Sequence, residues 1–568
     1  AALVGVDGRI DWWAAPSLDS PPALGALLDP ERGGYLALAP TGQTSSRPSY
    51  MDQTNVLVTV QRTSTGTVQV VDSLNTGTAG RLPWTELARR VEGVEGTVDM
   101  EWALVAGDRM RTCRPWVTAH RGHPVIHAGD QTLVVVTDQA GEVHRDAARA
   151  FGRFRLRAGE RALVAVVHTD AEPAFIPSPE AISARIDRTV EGWRRWSATV
   201  ALPSRHAAAV LRSALALKLL LNEHTGAIAA AATTSLPESV GGHKNWDYRY
   251  SWVRDSSFAL DALIRLGLHE EVHGAVSWLL GAIRRNGHDL RVFYSLDGDA
   301  PRAYEEVEVP GWRHSRPVRS GNAAAEQVQL GSYGDLFDTV YRYADEGHVL
   351  DQGTARMLAD LAESCCNQWL DKDSGIWELE DLQHYTISKI RCWTALERAA
   401  SLARDGQLPD DRLERWQVTA DAIHRWVDDN CWSKAKCSYS FHAQTDRLDA
   451  AVLLAGRAGF DQGERLSATI EAVRAELARG PFVYRYSGME KEEGAFVACT
   501  FWLVDALVRV GRRGEAEALM EEAVGLMSDT GLLAEQIDPA TGEFLGNIPQ
   551  GLSHLALINA ATCLDQSS

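Results

Sequence analysis

The feature that most limits what this chain can fold into is a change of hydrophobic period near residue 200. Before it, short alternating or apolar runs recur at 57–61, 67–71, 98–103, 125–128, 132–137, 153–157 and 162–168. Turn residues separate them, as in Thr63-Ser64-Thr65-Gly66 and Ala128-Gly129-Asp130. That spacing predicts an antiparallel β-sandwich, opened by a hairpin at Asp7-Gly8, a strong turn dipeptide. From Glu180 to about Thr199, Ile182, Ile186, Val190, Trp193 and Trp196 follow a helical spacing. From His206 onward strands nearly vanish. Twelve helical segments are expected, at about 205–222, 253–266, 268–286, 323–345, 353–371, 384–404, 411–430, 446–457, 463–478, 494–510, 514–528 and 551–565.

A chain of 568 residues is too long for one typical domain. The expected division is a β-sandwich over 1–178, a helical linker over 179–204 and an all-α domain over 205–568. Twelve helices form six antiparallel pairs, which can close into a double ring. The gaps 223–252, 287–322, 372–383, 479–493 and 529–550 carry nearly all the unusual residues, and the gaps between them are mostly tight turns. A ring with one functional face shows that alternation, because binding residues concentrate on loops held by a rigid scaffold.

The formal net charge of −19 argues against nucleic acid or an anionic membrane surface as partner. No apolar run reaches the roughly eighteen residues of a membrane span. The eight cysteines make no CxxC pair and no zinc-spaced cluster with histidine. They are read as reduced, with a Cys431–Cys437 bridge as the lesser alternative, and the protein as cytoplasmic. No signal peptide is visible, although the chain opens abruptly in strand-like sequence.

The stretch 245–268 sets Trp246, Tyr248, Tyr250 and Trp252 before an adjacent cation and carboxylate, Arg254-Asp255, at the start of a helix. Two readings fit it equally. One is a sugar site, with rings against the apolar face of the ligand and a charged pair forked onto its hydroxyls. The other is a helix start with a local ion pair and core aromatics.

Two loops then hold a lone glutamate in an apolar tetrapeptide: Gly375-Ile376-Trp377-Glu378 and Leu533-Ala534-Glu535-Gln536. A carboxyl beside Trp377 and Ile376 is desolvated, which raises its pKa and suits a general acid. Glu535, beside Gln536 and near Asp538, is expected in a more polar setting, ionised and able to act as base. Either glutamate alone reads more simply as a helix cap or a solvated loop acid. The pair on one face is what points to glycoside hydrolysis. The segment Trp312-Arg313-His314-Ser315-Arg316 with Arg319 offers a cationic clamp, and Arg485 between Tyr484 and Tyr486 offers another hydroxyl donor. The bland alternative is that these arginines neutralise acidic loops. No Gly-rich phosphate loop precedes them, so a nucleotide is not expected.

Over essentially its whole length the chain resembles glycoside hydrolase family 15, the glucoamylase and bacterial trehalase family. The resemblance rests on five motifs in order: Tyr250-Ser-Trp-Val-Arg-Asp255, Ser315-Arg-Pro-Val-Arg-Ser-Gly-Asn322, Gly375-Ile-Trp-Glu378, Val483-Tyr-Arg-Tyr486, and Leu533-Ala-Glu-Gln-Ile-Asp538 followed by Asn547-Ile-Pro-Gln-Gly-Leu-Ser-His554. Asp7-Gly-Arg-Ile-Asp-Trp and Asp19-Ser-Pro resemble the β-sandwich of the bacterial members.

The resemblance implies an (α/α)6 barrel and inverting hydrolysis of terminal α-glucosidic bonds, with no metal or other cofactor. It makes Glu378 the general acid and Glu535 the base. Arg254 and Asp255 would hold the terminal glucose with help from Arg485, and Trp252, Trp312 and Trp377 would line the pocket. Arg316 is placed with the substrate-binding residues of the same motif. An inverting pair leaves about 6.5–9.5 Å between its carboxyls for the attacking water.

One departure is Trp377-Glu378-Leu379-Glu380, where many bacterial members read Trp-Glu-Val-Arg. Glu380 in place of a cation suits capture of a leaving glucose. It favours a short α-glucoside such as isomaltose or maltose as the small-molecule partner. The alternatives, in order, are a trehalase, an inverting disaccharide phosphorylase and a non-catalytic sugar-binding protein.

Overall fold

The computed structural model describes every residue except 43, 78, 79, 81, 288, 289, 302, 303, 567 and 568. It divides into two compact units, 1–199 with 306–318, and 200–305 with 319–568.

The first unit holds strands β1 Ala2–Val4, β2 Arg9–Ala14, β3 Pro22–Leu24, β4 Tyr35–Pro40, β5 Ser45–Tyr50, β6 Leu57–Arg62, β7 Gly66–Leu74, β8 Thr85–Val105, β9 Trp116–His120, β10 His123–Ala128, β11 Gln131–Asp138, β12 His144–Arg145, β13 Arg149–Arg157 and β14 Arg161–Asp170. All pair antiparallel, and β1 and β2 form the expected hairpin through Gly8, whose φ is +80°. β8 belongs to two sheets. Its first half pairs with β7 and β14, its second half with β4 and β13.

The pattern of β8 follows from what covers it. In the second half Val98, Met100, Trp102 and Leu104 turn into the core between the sheets, while Asp99 and Glu101 face water. In the first half both faces are covered: Leu87 and Val91 pack between the sheets, and Ala88 packs under helix α1 (Pro179–Ser197) with Ile182, Ile186 and Val190. The charges on that half are paired, Arg89 with Asp72 on β7 and Glu86 with Arg185 of α1, where Arg185 Nε donates at 2.8 Å. The helix expected as a linker is therefore a layer of the first unit, started by the Ser178 cap and Pro179.

The second unit contains α2 Ala207–Leu220, α3 Val253–Arg265, α4 His269–Arg285, α5 Gly331–Asp345, α6 Gln352–Gln368, α7 Thr386–Arg404, α8 Leu413–Asn430, α9 Ala455–Ala458, α10 Glu464–Leu477, α11 Val497–Arg509, α12 Arg513–Val524 and α13 Gly551–Gln566. Helices α3, α5, α7, α9, α11 and α13 touch in that order, and α13 closes back on α3. The other six lie outside them. The result is an (α/α)6 barrel.

Sequence dictates which helix goes where. Inner α11 and α13 are buried almost all round. Outer α8 buries only Trp416, Ala420, Ile423 and Val427, a single stripe. Several expected helices are shorter than their patterns. The 323–345 segment is a 3-10 turn at Ala323–Glu326, capped by Asn322, and α5 starts only at Gly331. The 446–457 segment is a 3-10 turn at Ala450–Leu454 capped by Asp449, then the one-turn α9, which Gly459 ends at φ +77°. The 494–510 segment starts at Val497, because Ala495 and Phe496 pair as a strand with Ile537 and Gln536.

The inner ring is tied by buried charge. Asp261 on α3 meets Arg265, Arg342 on α5 and Arg457 on α9, at 3.1, 3.0 and 2.6 Å. Asp338 on α5 meets Arg342 and Arg398 on α7, at 3.1 and 3.0 Å. Buried ions hold only when paired this completely. All eight cysteines are unbridged, so Cys431 and Cys437 are separate thiols. No helix among the described residues is long and apolar enough to cross a membrane.

Burial alone pushes the Asp338 carboxyl up. The guanidinium groups of Arg342, Arg391 and Arg398 outweigh it and hold its pKa at about 2, below the ordinary 3.8. A depressed carboxylate stabilises the fold above its unfolded pKa and loses that contribution as pH falls toward 2. Asp338→Asn is expected to cost about 3 kcal/mol at pH 7 and progressively less below pH 4, measured by urea unfolding across pH.

Candidate active site

The loops that precede the inner helices converge on a cavity of about 410 Å³ lined by Tyr248, Arg254, Asp255, Ile376, Trp377, Glu378, Arg485, Phe496, Trp502, Glu535, Gln550 and Leu552. Both sequence-predicted carboxyls are in its wall, with Arg254, Asp255, Trp377 and Arg485. All of these belong to the helical unit.

Arg254 and Asp255 stand in the first turn of α3. Arg254 Nε donates to Asp255 Oδ1 at 2.8 Å, and its Nη1 donates to the Ile376 carbonyl at 2.7 Å. The second hydrogen bond fastens the α3 start to the loop bearing Glu378. Nη2 of Arg254 and Oδ2 of Asp255 have no protein partner among the described residues, so one donor and one acceptor are left for a ligand.

Glu378 is held in the left-handed region at φ +61°, a conformation of the kind functional sites retain. Its carbonyl accepts from Gln327 Nε2 at 2.9 Å. Its carboxyl Oε1 accepts the indole N–H of Trp252 at 2.7 Å and lies 3.6 Å from Arg254 Nη1. Burial raises its pKa, with Arg254 and the Trp252 N–H opposing. Trp252 itself is not the expected wall. It is fully buried, stacked on Phe293 at 4.5 Å, and reaches the site only through its N–H.

Trp377 lies edge-on to Phe496, its N–H donating to Asp449 at 2.8 Å. Glu535 comes just before Gln536–Ile537, the middle strand of a three-stranded ribbon with Ala495–Phe496 and Phe544–Leu545. Its Oε2 accepts from the Asn547 N–H at 3.4 Å. Gly546, at φ +72°, lies directly against this carboxyl; a Cβ there would come within 2.3 Å of Oε2.

The polar setting expected for Glu535 is not found. The Gln536 side chain is buried without a partner among the described residues, and Asp538 caps the turn at Ala540. Burial, and next the charge of Glu238, push the Glu535 carboxyl well above the ordinary range.

Arg485 is split between carboxylates: Nε donates to Glu493 Oε1 at 2.5 Å and Nη2 to Glu238 Oε2 at 3.0 Å. Its Nη1 has no protein partner among the described residues. Sequence reasoning missed Glu238, Phe496, Trp502 and Gln550 as site residues. Gln550 stood in a quoted motif, and its buried Oε1 is unpartnered at the cavity. Nothing in the sequence around Glu238 marked it.

Three other expected residues are not among those lining this cavity. Glu380 is exposed and outside the cavity wall. Trp312, half-buried beneath Arg313, and the exposed Arg316 belong to segment 306–318 of the other unit.

A partly buried carboxyl, Glu378, and a fully buried one, Glu535, thus share one cavity with the Arg254–Asp255 ion pair, an arrangement of the kind glycoside hydrolysis uses. The model of Glycosyl hydrolases family 15 matches residues 204–527. A trehalase of Mycolicibacterium smegmatis is 35% identical over 605 residues, covering 98% of this chain and 88% of that one. A trehalase of Mycobacterium tuberculosis is 34% identical, covering 98% and 87%. A bacterial glucoamylase complexed with acarbose shares the fold at a TM-score of 0.75, with 12% identity, over 99% of this chain and 91% of that one. The chain belongs to glycoside hydrolase family 15.

Gly546→Ala is expected to displace the Glu535 carboxyl and lower turnover by about 10²-fold or more. The same variant should keep cooperative unfolding, read by circular dichroism.

Proposed function

We propose that the protein is a trehalase that hydrolyses α,α-trehalose with inversion. The observation that carries the reading is the meeting of Glu378 and Glu535 in one cavity beside Arg254 and Asp255. The choice of substrate is supported by the relatives named trehalase, which match over nearly the whole chain. The case for isomaltose or maltose rested on Glu380 at the leaving-sugar site, and that residue is exposed outside the cavity wall.

In this reading Arg254 Nη2 and Asp255 Oδ2 hold hydroxyls of the sugar whose bond is broken, and Arg485 Nη1 supplies a further donor. The Tyr248 phenol lines the cavity and is kept neutral by burial and by the charges of Glu535 and Glu378; it is a donor with no protein partner among the described residues. Glu378, its proton favoured by burial, protonates the glycosidic oxygen. Glu535 takes the proton of a water attacking the opposite face of the anomeric carbon. Cleavage of an α,α-1,1 bond by inversion at one carbon frees one β-glucose and leaves the other glucose α.

Each carboxyl bounds the pH range. Activity falls as pH rises through the Glu378 pKa, raised by burial, because the acid loses its proton. It falls on the acid side as Glu535 gains one. Glu378→Gln and Glu535→Gln are each expected to lower trehalose turnover by about 10²–10⁴-fold. Trehalose is expected to exceed maltose and isomaltose in kcat/KM. Equal α- and β-glucose in the first turnovers, followed by proton NMR, is the expected product ratio; α-glucose alone would contradict inversion.

A further inference from the structure

Arg485 lines the cavity with the proposed base and its charge acts on that carboxyl, yet it is shared. Three buried carboxyls, Glu238, Glu493 and Glu535, crowd around two cations, Arg485 and Lys244. Glu493 takes both: Arg485 on one side and Lys244 Nζ at 3.0 Å on the other. Lys244 also reaches the more exposed Glu492 at 3.2 Å. Glu238, only 1% exposed, has the Arg485 Nη2 contact on Oε2; its buried Oε1 has no partner among the described residues, and, besides burial, the neighbouring Glu493 carboxyl also raises its pKa. One carboxyl of the three is left without a compensating charge.

The backbone couples Glu238 to Glu535. Pro237 accepts the Gly546 N–H at 2.8 Å, and Thr233 Oγ1 donates to Asn547 Oδ1 at 2.9 Å and accepts from the Ile548 N–H at 3.1 Å. Asn547 in turn donates to the Glu535 carboxyl, and Gly546 lies against it. The two glutamates therefore hang from one hydrogen-bonded pair of loops, 233–238 and 546–548. The groups that face Glu238 are Arg485, Glu493, Lys244, Glu535 and the phenol of Tyr248.

We infer that Glu238 is a positioning residue for the base: Glu238 and Glu535 hold one proton between them beside Arg485, and the form able to activate water is the one in which Glu238 holds it. Placing the one proton on Glu238 rather than on Glu535 leaves the charge of the cluster unchanged. With Glu238 neutral, the like charge that keeps a proton on Glu535 is gone and Arg485 favours its carboxylate. Burial raises the Glu238 pKa to about 7, in line with a group that carries a proton in the working range. The inference rests on Glu535 being the base.

Glu238→Gln fixes the neutral form. The acid limb of the kcat/KM profile on trehalose is expected to move to lower pH by about one unit or more, while Glu238→Asp, which keeps a carboxyl, leaves the limb in place. A drop of equal size at every pH in E238Q, with the limb unmoved, would mean a merely structural role and overturn the inference. If E238Q does not fold, infrared difference spectra of the unaltered protein against E535Q at the activity optimum give the answer. Loss of a carboxylate band supports the inference, and loss of a protonated-carboxyl band overturns it. Near-normal turnover by E535Q would instead remove Glu535 from its role. An inactive E535Q beside an unmoved limb in E238Q defeats only the inference.

Discussion

Removing two carboxyl groups from water is the constraint to which the rest of this site answers. An isolated buried carboxylate is strongly disfavoured, so each must find donors, find a cation or keep its proton. Glu378 has the Trp252 indole N–H and the edge of Arg254. Glu535 has one long backbone hydrogen bond, and Arg485 is divided between other acids. The supply is unequal, and by itself it favours the carboxylate at Glu378 and the proton at Glu535, so the proposed roles depend on the charges around Glu535, Glu238 and Arg485 among them. The site also draws on residues outside the cavity wall: Trp252 through its N–H to Glu378, and Asp449 through the Trp377 ring it holds.

The barrel makes the arrangement possible by separating two jobs. Inner helices bring paired charges, Asp261 and Asp338 with their arginines, across four neighbouring ring members. The loops ahead of those helices are then free to carry left-handed backbone, strained at Glu378, φ +61°, and taken up by glycine at Gly546, φ +72°. Strain of this kind persists only where the surroundings over-determine it. The Arg254 hydrogen bond to the Ile376 carbonyl and the Gln327 hydrogen bond to the Glu378 carbonyl do that here.

Much of this was legible in the sequence, and the misses have physical causes. Alternation located β7, β11 and β14, and the helical period located most of the barrel. The first half of β8 escaped because Glu86, Arg89 and Arg90 read as solvent-facing, whereas Glu86 and Arg89 are buried in ion pairs and Arg90 is only 9% exposed. The span of α9 was overread because Ala450–Leu454 is apolar enough for a helix, while the Asp449 cap and Gly459 leave room for one turn. At the site, burial around Glu378 could be inferred from Ile376 and Trp377. The surroundings of Glu535 could not, since Glu238 lies almost three hundred positions away. Trp252 was assigned to the wall because an aromatic residue next to Arg254-Asp255 gives no sign of which way its ring turns.

The central claim is that Glu378 and Glu535 address opposite faces of one anomeric carbon. A crystal structure of the Glu378→Gln variant with trehalose trapped in the cavity tests it most directly. The account predicts residue 378 against the glycosidic oxygen, a water between Glu535 and the anomeric carbon, and side-chain ends about 6.5–9.5 Å apart. Trehalose bound with Glu535 out of reach of that water, or with both side chains on one face of the sugar, would contradict it.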